Sequence, residues 1–260
     1  AVGTMMELRQ LLVLLCAEAA LGLLFWLVYR NLSRLYPRPH LAHWTQAWTL
    51  LLCHIVAAFA DGAVVDAFGP TSVARVPTAT LYGLTSNFGL LALAIGMGEI
   101  ASQRAASART IRRCAVLGIT VAVLGGLMPA LGVLPLAWVS VFPEGPRALF
   151  AVIVALSGLA ATFRQAPPLP VTPGTTLARV GLLGLAAVQS YAAVLSLSPN
   201  AQSWTPEQTI LDLIVWTTLG IGAVTWVFER EHGRLEEVTR ARRALETDLD
   251  QREKRFAAIV

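Results

Sequence analysis

Long apolar stretches separated by short polar ones dominate the first 228 residues of the chain. A helix needs about 20 predominantly apolar residues to cross roughly 30 Å of hydrocarbon. The pattern therefore predicts an all-α, polytopic membrane bundle of seven transmembrane helices, with no sheet of consequence. The predicted spans are 9–29, 42–62, 80–100, 114–133, 146–163, 177–197 and 208–228.

The pattern changes abruptly after residue 228. Between Glu229 and Arg255 lie sixteen charged residues, eight acidic and eight basic. Apolar residues recur among them at heptad spacing over almost four repeats, which predicts a C-terminal cytoplasmic coiled-coil helix continuous with the seventh span. Two such helices are predicted to pair in parallel as a homodimer. The seam positions are Leu235, Val238, Arg242, Leu245, Leu249, Arg252, Phe256 and Ile259.

Two of the seam positions hold arginine, Arg242 and Arg252. A charge at such a position weakens a coiled coil, which suits a helix pair that switches between two arrangements. Gly233 lies where the span gives way to the charged segment, and glycine costs a helix about 1 kcal/mol relative to alanine. We therefore expect Gly233 to act as a hinge. The alternative is a single amphipathic helix that lies on the membrane or stands alone in water.

Composition identifies lipid as the solvent for most of the chain. The mean hydropathy is +0.62, 55% of the residues are hydrophobic and 14% are charged, values outside the range of soluble domains. The expected organisation has three parts. Residues 1–5 are a cloning remnant and N-terminus, 6–228 form the transmembrane domain, and 229–260 form the coiled-coil linker.

Arginine placement predicts the orientation of the bundle. The loops after the first, third and fifth spans carry nine arginines, whereas the opposite side carries three together with five acidic residues. Because positively charged loops stay in the cytoplasm, we expect the N-terminus outside and the C-terminus in the cytoplasm. The same distribution explains the pI near 9.3, so no nucleic-acid partner is expected.

Several polar residues lie inside the predicted spans, where ionisable groups are costly and usually face the interior of a bundle. At 1.5 Å per residue, they fall roughly 6–14 Å below the outer surface, in one layer. This layer predicts either a cavity that senses a ligand or ion, or interhelical hydrogen bonds worth about 0.6 kcal/mol each. Its members are Glu18, His54, Asn87, Gln189, Tyr191, Asp212, Trp216 and Thr217.

Glu18 and His54 are the pair of greatest interest, because a carboxylate and an imidazole at similar depth can share a proton. The expected stimulus is a small molecule, a lipid or a proton. The chain's four histidines do not suggest paired haem ligands. Its only lysine, Lys254, lies outside the spans, which excludes a retinal Schiff base. We therefore expect no cofactor and no metal site.

The last residues, "RRALETDLDQREKRFAAIV" at 242–260, carry a family resemblance. With an odd number of spans and an outside N-terminus, the chain resembles the seven-transmembrane N-terminal sensor region of bacterial membrane histidine kinases and diguanylate cyclases. In those proteins a linker much like "REKRFAAIV" leads into a PAS domain or the output module. The resemblance implies a receptor in the bacterial inner membrane, whose charged helix passes a signal to an effector after residue 260.

No catalysis is expected in this segment. The sequence contains no glycine-rich phosphate loop and no nucleophile elbow, and Glu18 with His54 does not make a nucleophile–base set. A small polytopic transporter or channel is the alternative function. Transporters often contain internal repeats and paired broken helices, whereas this chain has no repeat and one Gly/Pro interruption, in the fourth span. The residues that follow Val260 would separate the two functions.

Cysteine labelling tests the topology. With Cys16, Cys53 and Cys114 replaced by serine, one cysteine placed in "SQRAASART" at 102–110 should react with an impermeant maleimide only in inside-out vesicles. The positive-inside rule places this segment in the cytoplasm. Ser72→Cys, between the second and third spans, is the control and should react only in right-side-out vesicles. Labelling of the 102–110 cysteine from outside alone would overturn the topology.

Overall fold

The computed structural model describes residues 2–102, 104–132, 144–163, 171–196 and 206–257, and no strand occurs within these ranges. All seven of its helices are long and apolar enough to cross a membrane, which confirms the predicted polytopic bundle. In chain order they are α1 Val2–Leu35, α2 Pro39–Phe68, α3 Arg75–Ser102, α4 Ala108–Ala130, α5 Glu144–Phe163, α6 Pro173–Leu195 and α7 Pro206–Ala257.

Capping residues extend some helices beyond the apolar stretches. Ser107 accepts a hydrogen bond from a backbone N–H of the first turn of α4, so this helix begins well before the predicted start at 114. Thr172 and Thr175 form a reciprocal capping box at the start of α6. Pro173 occupies the first helical position, where its missing N–H would be unpaired in any case. Local polar signals therefore set these boundaries.

The helices close into a ring. Contacts join α1 to α2, α2 to α3, α3 to α5, α5 to α6, α6 to α7 and α7 back to α1, while α4 packs against α3 and α5. In the most apolar 18-residue stretch of α3, 67% is buried inside the bundle, the largest share among the seven helices. The corresponding share in α4 is 28%. Most of the α4 surface is therefore available to lipid.

Small residues let α6 and α7 approach closely, as in many membrane bundles. A Cβ atom at Gly181 of α6 would lie 2.8 Å from the Cα atom of Leu219 in α7. One at Gly222 of α7 would lie 2.5 Å from the backbone nitrogen of Ala178 in α6. A larger side chain at either glycine would separate the two helices, so α7 is held against α6 along its membrane-spanning part.

An aromatic cluster connects α7 to α1 and α2. Phe25 stacks on Trp48 with ring centroids 4.7 Å apart, and Trp48 meets Trp216 edge-on at 5.8 Å. The Tyr29 hydroxyl donates a hydrogen bond to the Gly220 carbonyl at 3.1 Å. Aromatic pairs of this kind contribute about 0.5–1.5 kcal/mol beyond the burial of their area. Any displacement of α7 therefore acts on α1 and α2.

Helix α7 runs without interruption from the interior of the bundle into the charged segment. Its 52 residues correspond to a length of about 78 Å at 1.5 Å per residue. The prediction that the charged segment is helical and continuous with the seventh span is thus confirmed as far as Ala257. Every residue from His232 to Lys254 is exposed. A single chain is described, so pairing of this helix stays a prediction, and Ile259 lies outside the described residues.

Candidate functional site

A small polar cavity lies in the half of the bundle opposite the charged helix. Its volume is about 50 Å³, and a single water molecule needs about 10–15 Å³. The cavity therefore has room for a few water molecules or one small polar ligand. Side chains from six helices line it: Glu18 (α1), His54 (α2), Thr85 and Ser86 (α3), Arg147 (α5), Gln189 (α6), and Asp212 and Trp216 (α7).

Three of the eight predicted site residues are not among the described residues that line this cavity. The Asn87 amide donates to the carbonyl of Gly118 in α4 at 2.9 Å. Tyr191 is 54% exposed on the outer face of α6. The Thr217 hydroxyl donates to a carbonyl one turn earlier in α7, at 2.7 Å. The structure brings the other five together around the cavity: Glu18, His54, Gln189, Asp212 and Trp216.

Arg147, one of the three arginines predicted to lie on the outer side, is a cavity residue that the sequence did not predict. Its Nη1 donates to Ser86 Oγ at 3.3 Å, and its guanidinium carbon lies 5.5 Å from the centroid of the Tyr82 ring. The residue lies in the first turn of α5, and the long aliphatic stem of arginine allows its charge to reach inward. The signal that could have identified it is the need of two carboxylates inside the predicted spans, Glu18 and Asp212, for a cation.

The cavity contains two carboxylates and one guanidinium among its described lining residues. Glu18 is 7% exposed, is attracted by Arg147 and is repelled by Asp212. Gln189 Nε2 donates to Asp212 Oδ1 at 3.5 Å. Charged groups inside a membrane bundle usually pair with one another, so these three side chains are placed to couple α1, α5 and α7.

His54 is held by α3 rather than by Glu18. Its ring stacks on Tyr82 with centroids 4.3 Å apart, and its Nδ1 donates to the Tyr82 carbonyl at 3.2 Å. Tyr82 also faces Arg147, so an imidazole, a phenol ring and a guanidinium lie in one array. No direct hydrogen bond joins Glu18 to His54 in the described residues, and proton transfer between them would need a bridging molecule.

Gln189 lines the cavity and carries a buried, unpaired acceptor. The residue is 5% exposed, yet its Oε1 has no hydrogen-bond partner among the described residues. Buried polar side-chain atoms in proteins are nearly always paired, so an unpaired acceptor in a cavity indicates a site for water or for a ligand that donates a hydrogen bond. The part of the chain that the structure describes contains no cluster of three or more His, Cys, Asp or Glu suited to a metal ion.

Two acidic residues, Glu229 and Glu231, fix α7 to the end of the bundle opposite the cavity. We call them the inner clasp. Glu229 accepts the Gly174 N–H at 3.0 Å and the Thr172 hydroxyl, and so caps α6. Glu231 accepts a hydrogen bond from Arg38 at 3.3 Å. A carboxylate at a helix N-terminus is favoured by about 0.3–1 kcal/mol. Gly233, the predicted hinge, lies just beyond the clasp in an unbroken helical segment.

Comparison with protein-family models, with curated proteins and with solved structures finds no match for this chain. The function therefore has to be inferred from the polar cavity, the inner clasp and the exposed part of α7.

Substitution of Arg147 tests whether the cavity charges are coupled. Arg147→Gln should lower the free energy of unfolding by about 1–3 kcal/mol, because it removes the guanidinium found among the cavity's described lining residues. Adding Glu18→Gln should recover part of this loss. Unfolding by SDS in mixed micelles measures both effects. Asp66→Asn, an exposed carboxylate near the end of α2, is the control second substitution. Additivity of Arg147→Gln with Glu18→Gln within about 0.5 kcal/mol would refute the coupling.

Proposed function

We propose that this chain is the membrane sensor module of a signalling receptor of the bacterial inner membrane, of the histidine kinase or diguanylate cyclase type. Binding in the polar cavity changes the arrangement of two paired helices in the cytoplasm. The observation that carries this proposal is the path of α7, which supplies Asp212 and Trp216 to the cavity and continues unbroken to Ala257. A ligand in the cavity therefore acts on the same helix that leaves the membrane.

Helix α7 has the length and the contacts that transmission requires. From Asp212 to Gly233 it covers about 32 Å at 1.5 Å per residue, close to the hydrocarbon thickness of roughly 30 Å. Trp216 contacts both the cavity and the aromatic cluster. The inner clasp then holds the helix at the far end. If α7 tilts or rotates slightly at the cavity, it would pivot about the inner clasp. The segment after Gly233 would then move in the opposite direction.

The exposed part of α7 carries the surface that pairing needs. Its apolar seam residues are all more than half exposed, although every other face of the helix is polar or charged. Parallel pairing would bury this stripe against an identical one. The described members are Leu235, Val238, Leu245, Leu249 and Phe256, at 54–71% exposure.

The two seam arginines already have acidic partners. Arg242 Nε bonds Glu246 at 2.9 Å, and Arg252 Nε bonds Asp248 at 3.0 Å, both within the helix. Glu246 and Asp248 flank the seam in the heptad, so these pairs can persist when two helices associate. Exposed pairs of this spacing contribute only about 0.3–0.5 kcal/mol. These intrahelical pairs add nothing to the attraction between two helices, and two arginines in the seam weaken pairing enough for its arrangement to change.

In this proposal the N-terminus lies outside and the charged helix lies in the cytoplasm, as the arginine distribution favours. The cavity then opens in the outer half of the membrane. Its small volume and its acids, imidazole and unpaired amide oxygen favour a small polar molecule or a proton as the stimulus.

Disulfide cross-linking in native membranes tests the paired helix. After replacement of the three native cysteines, Val238→Cys, Arg242→Cys, Leu245→Cys and Leu249→Cys should each form dimers efficiently, because these positions meet at the seam. Thr247→Cys and Gln251→Cys, on the outer face, are matched controls and should not. Replacing Arg242 and Arg252 together with leucine should tighten the dimer. Cross-linking that is uniform or absent would show that the helix stands alone and that the receptor proposal is wrong.

A further inference from the structure

A second concavity, which we call the lateral groove, lies between α3, α4 and α5, at the end of the bundle from which α7 extends. Its volume is about 360 Å³, within the range of about 300–1,000 Å³ typical of ligand sites. Apolar side chains form most of its walls, among them Ile95, Leu117 and Ile153. It shares none of its described lining residues with the polar cavity.

Gly98 of α3, which has no close neighbour on another helix among the described residues, leaves open space in the lateral groove. At Gly181 and Gly222, the absence of a side chain lets another helix approach. Gly98 of α3 differs, because a Cβ atom there would meet nothing within 4 Å among the described residues outside its own helix turn. The space beside Gly98 is therefore not used for helix packing and is available to a ligand from the bilayer.

The groove has the depth of one leaflet. Its lining on α3 extends from Leu91 to Ser102, which corresponds to about 16 Å at 1.5 Å per residue. Half of a hydrocarbon core of roughly 30 Å is about 15 Å. A single extended acyl chain of the adjoining leaflet matches both this depth and the apolar walls.

The mouth of the groove is polar and basic. Arg104, Ser107 and Thr110 line it, and three further exposed arginines follow in the first turns of α4. Glu99, the one carboxylate among the described lining residues, accepts hydrogen bonds from His43 Nδ1 at 3.0 Å and from the Ala106 N–H at 2.9 Å. Its charge is thus engaged, while clustered arginines at a membrane surface attract anionic lipids.

We infer that the lateral groove binds one acyl chain of an anionic phospholipid, whose headgroup lies beside Arg104. The lipid belongs to the leaflet on the side from which α7 extends. Bound in this way, it fills the space between α4 and α5 and makes α4 an integral part of the bundle. This inference depends on neither the polar cavity nor the pairing of α7.

Photolabelling of the full chain in bilayers tests the site. The probes are phosphatidylglycerol and phosphatidylcholine, each with a diazirine in the middle of one acyl chain, and peptide mass spectrometry locates the adducts. Phosphatidylglycerol should label the groove walls at Ile95, Leu117 and Ile153 above other lipid-facing residues. Unlabelled phosphatidylglycerol should displace it, whereas unlabelled phosphatidylcholine should not.

Filling the groove should abolish the preferential labelling. Gly98→Leu places a side chain in the open space and should reduce groove adducts to the level of the surrounding surface. Gly62→Leu is the matched control, because a Cβ atom at Gly62 also meets nothing within 4 Å in the described residues outside its own helix turn. Ser157→Leu fills the groove from the α5 wall and keeps the test decisive if Gly98→Leu fails to fold.

A second pair of variants tests the headgroup. Arg104→Gln should lower the preference for phosphatidylglycerol over phosphatidylcholine about fivefold, the effect expected of one arginine near a membrane surface. Arg109→Gln, exposed and outside the groove lining, should change it little. Even labelling of all lipid-facing surfaces, unchanged by Gly98→Leu, would overturn the site. Equal displacement by the two unlabelled lipids would overturn its anionic specificity.

Discussion

Hydrocarbon offers no partner to a charged side chain, and the arrangement of this bundle depends on that constraint. Glu18, Arg147 and Asp212 come from three helices that are far apart in the chain, and they interact around one cavity. His54, Gln189 and the hydroxyls of α3 bring the remaining ring helices to the same place. Because His54 and Arg147 both find their partners on α3, a change in either one alters how the helices around the cavity pack.

Helix α7 connects the polar cavity to the charged segment outside the bundle. Its first turns lie at the cavity, aromatic and glycine contacts hold the following turns, and the inner clasp holds it at Glu229 and Glu231, near the middle of its length. Beyond the clasp it has no contact with the bundle in the described residues and carries only intrahelical ion pairs. The first part of α7 is therefore held inside the bundle, and a movement of that part displaces the exposed part of the helix.

The sequence was sufficient for the seven long apolar helices, but not for the direction in which each side chain points. Gln189 and Tyr191 are two residues apart at nearly the same depth, yet one lines the cavity and the other faces outward. Adjacent Trp216 and Thr217 diverge in the same way, because successive residues on a helix lie about 100° apart. Arg147 was missed for the opposite reason: its backbone lies near the helix end, and only its side chain reaches the cavity.

The central claim is that the polar cavity and the exposed helix are coupled through α7. The most direct measurement is the distance between spin labels on the two copies of Thr247→Cys, by pulsed dipolar spectroscopy in bilayers. Glu18→Gln replaces a cavity carboxyl group and leaves the sequence of α7 unchanged. The control, Asp66→Asn, replaces an exposed carboxylate on the same half of the bundle. The account predicts that Glu18→Gln shifts the distance distribution, whereas Asp66→Asn leaves it unchanged. Identical distributions in the unsubstituted chain and in both variants would contradict it.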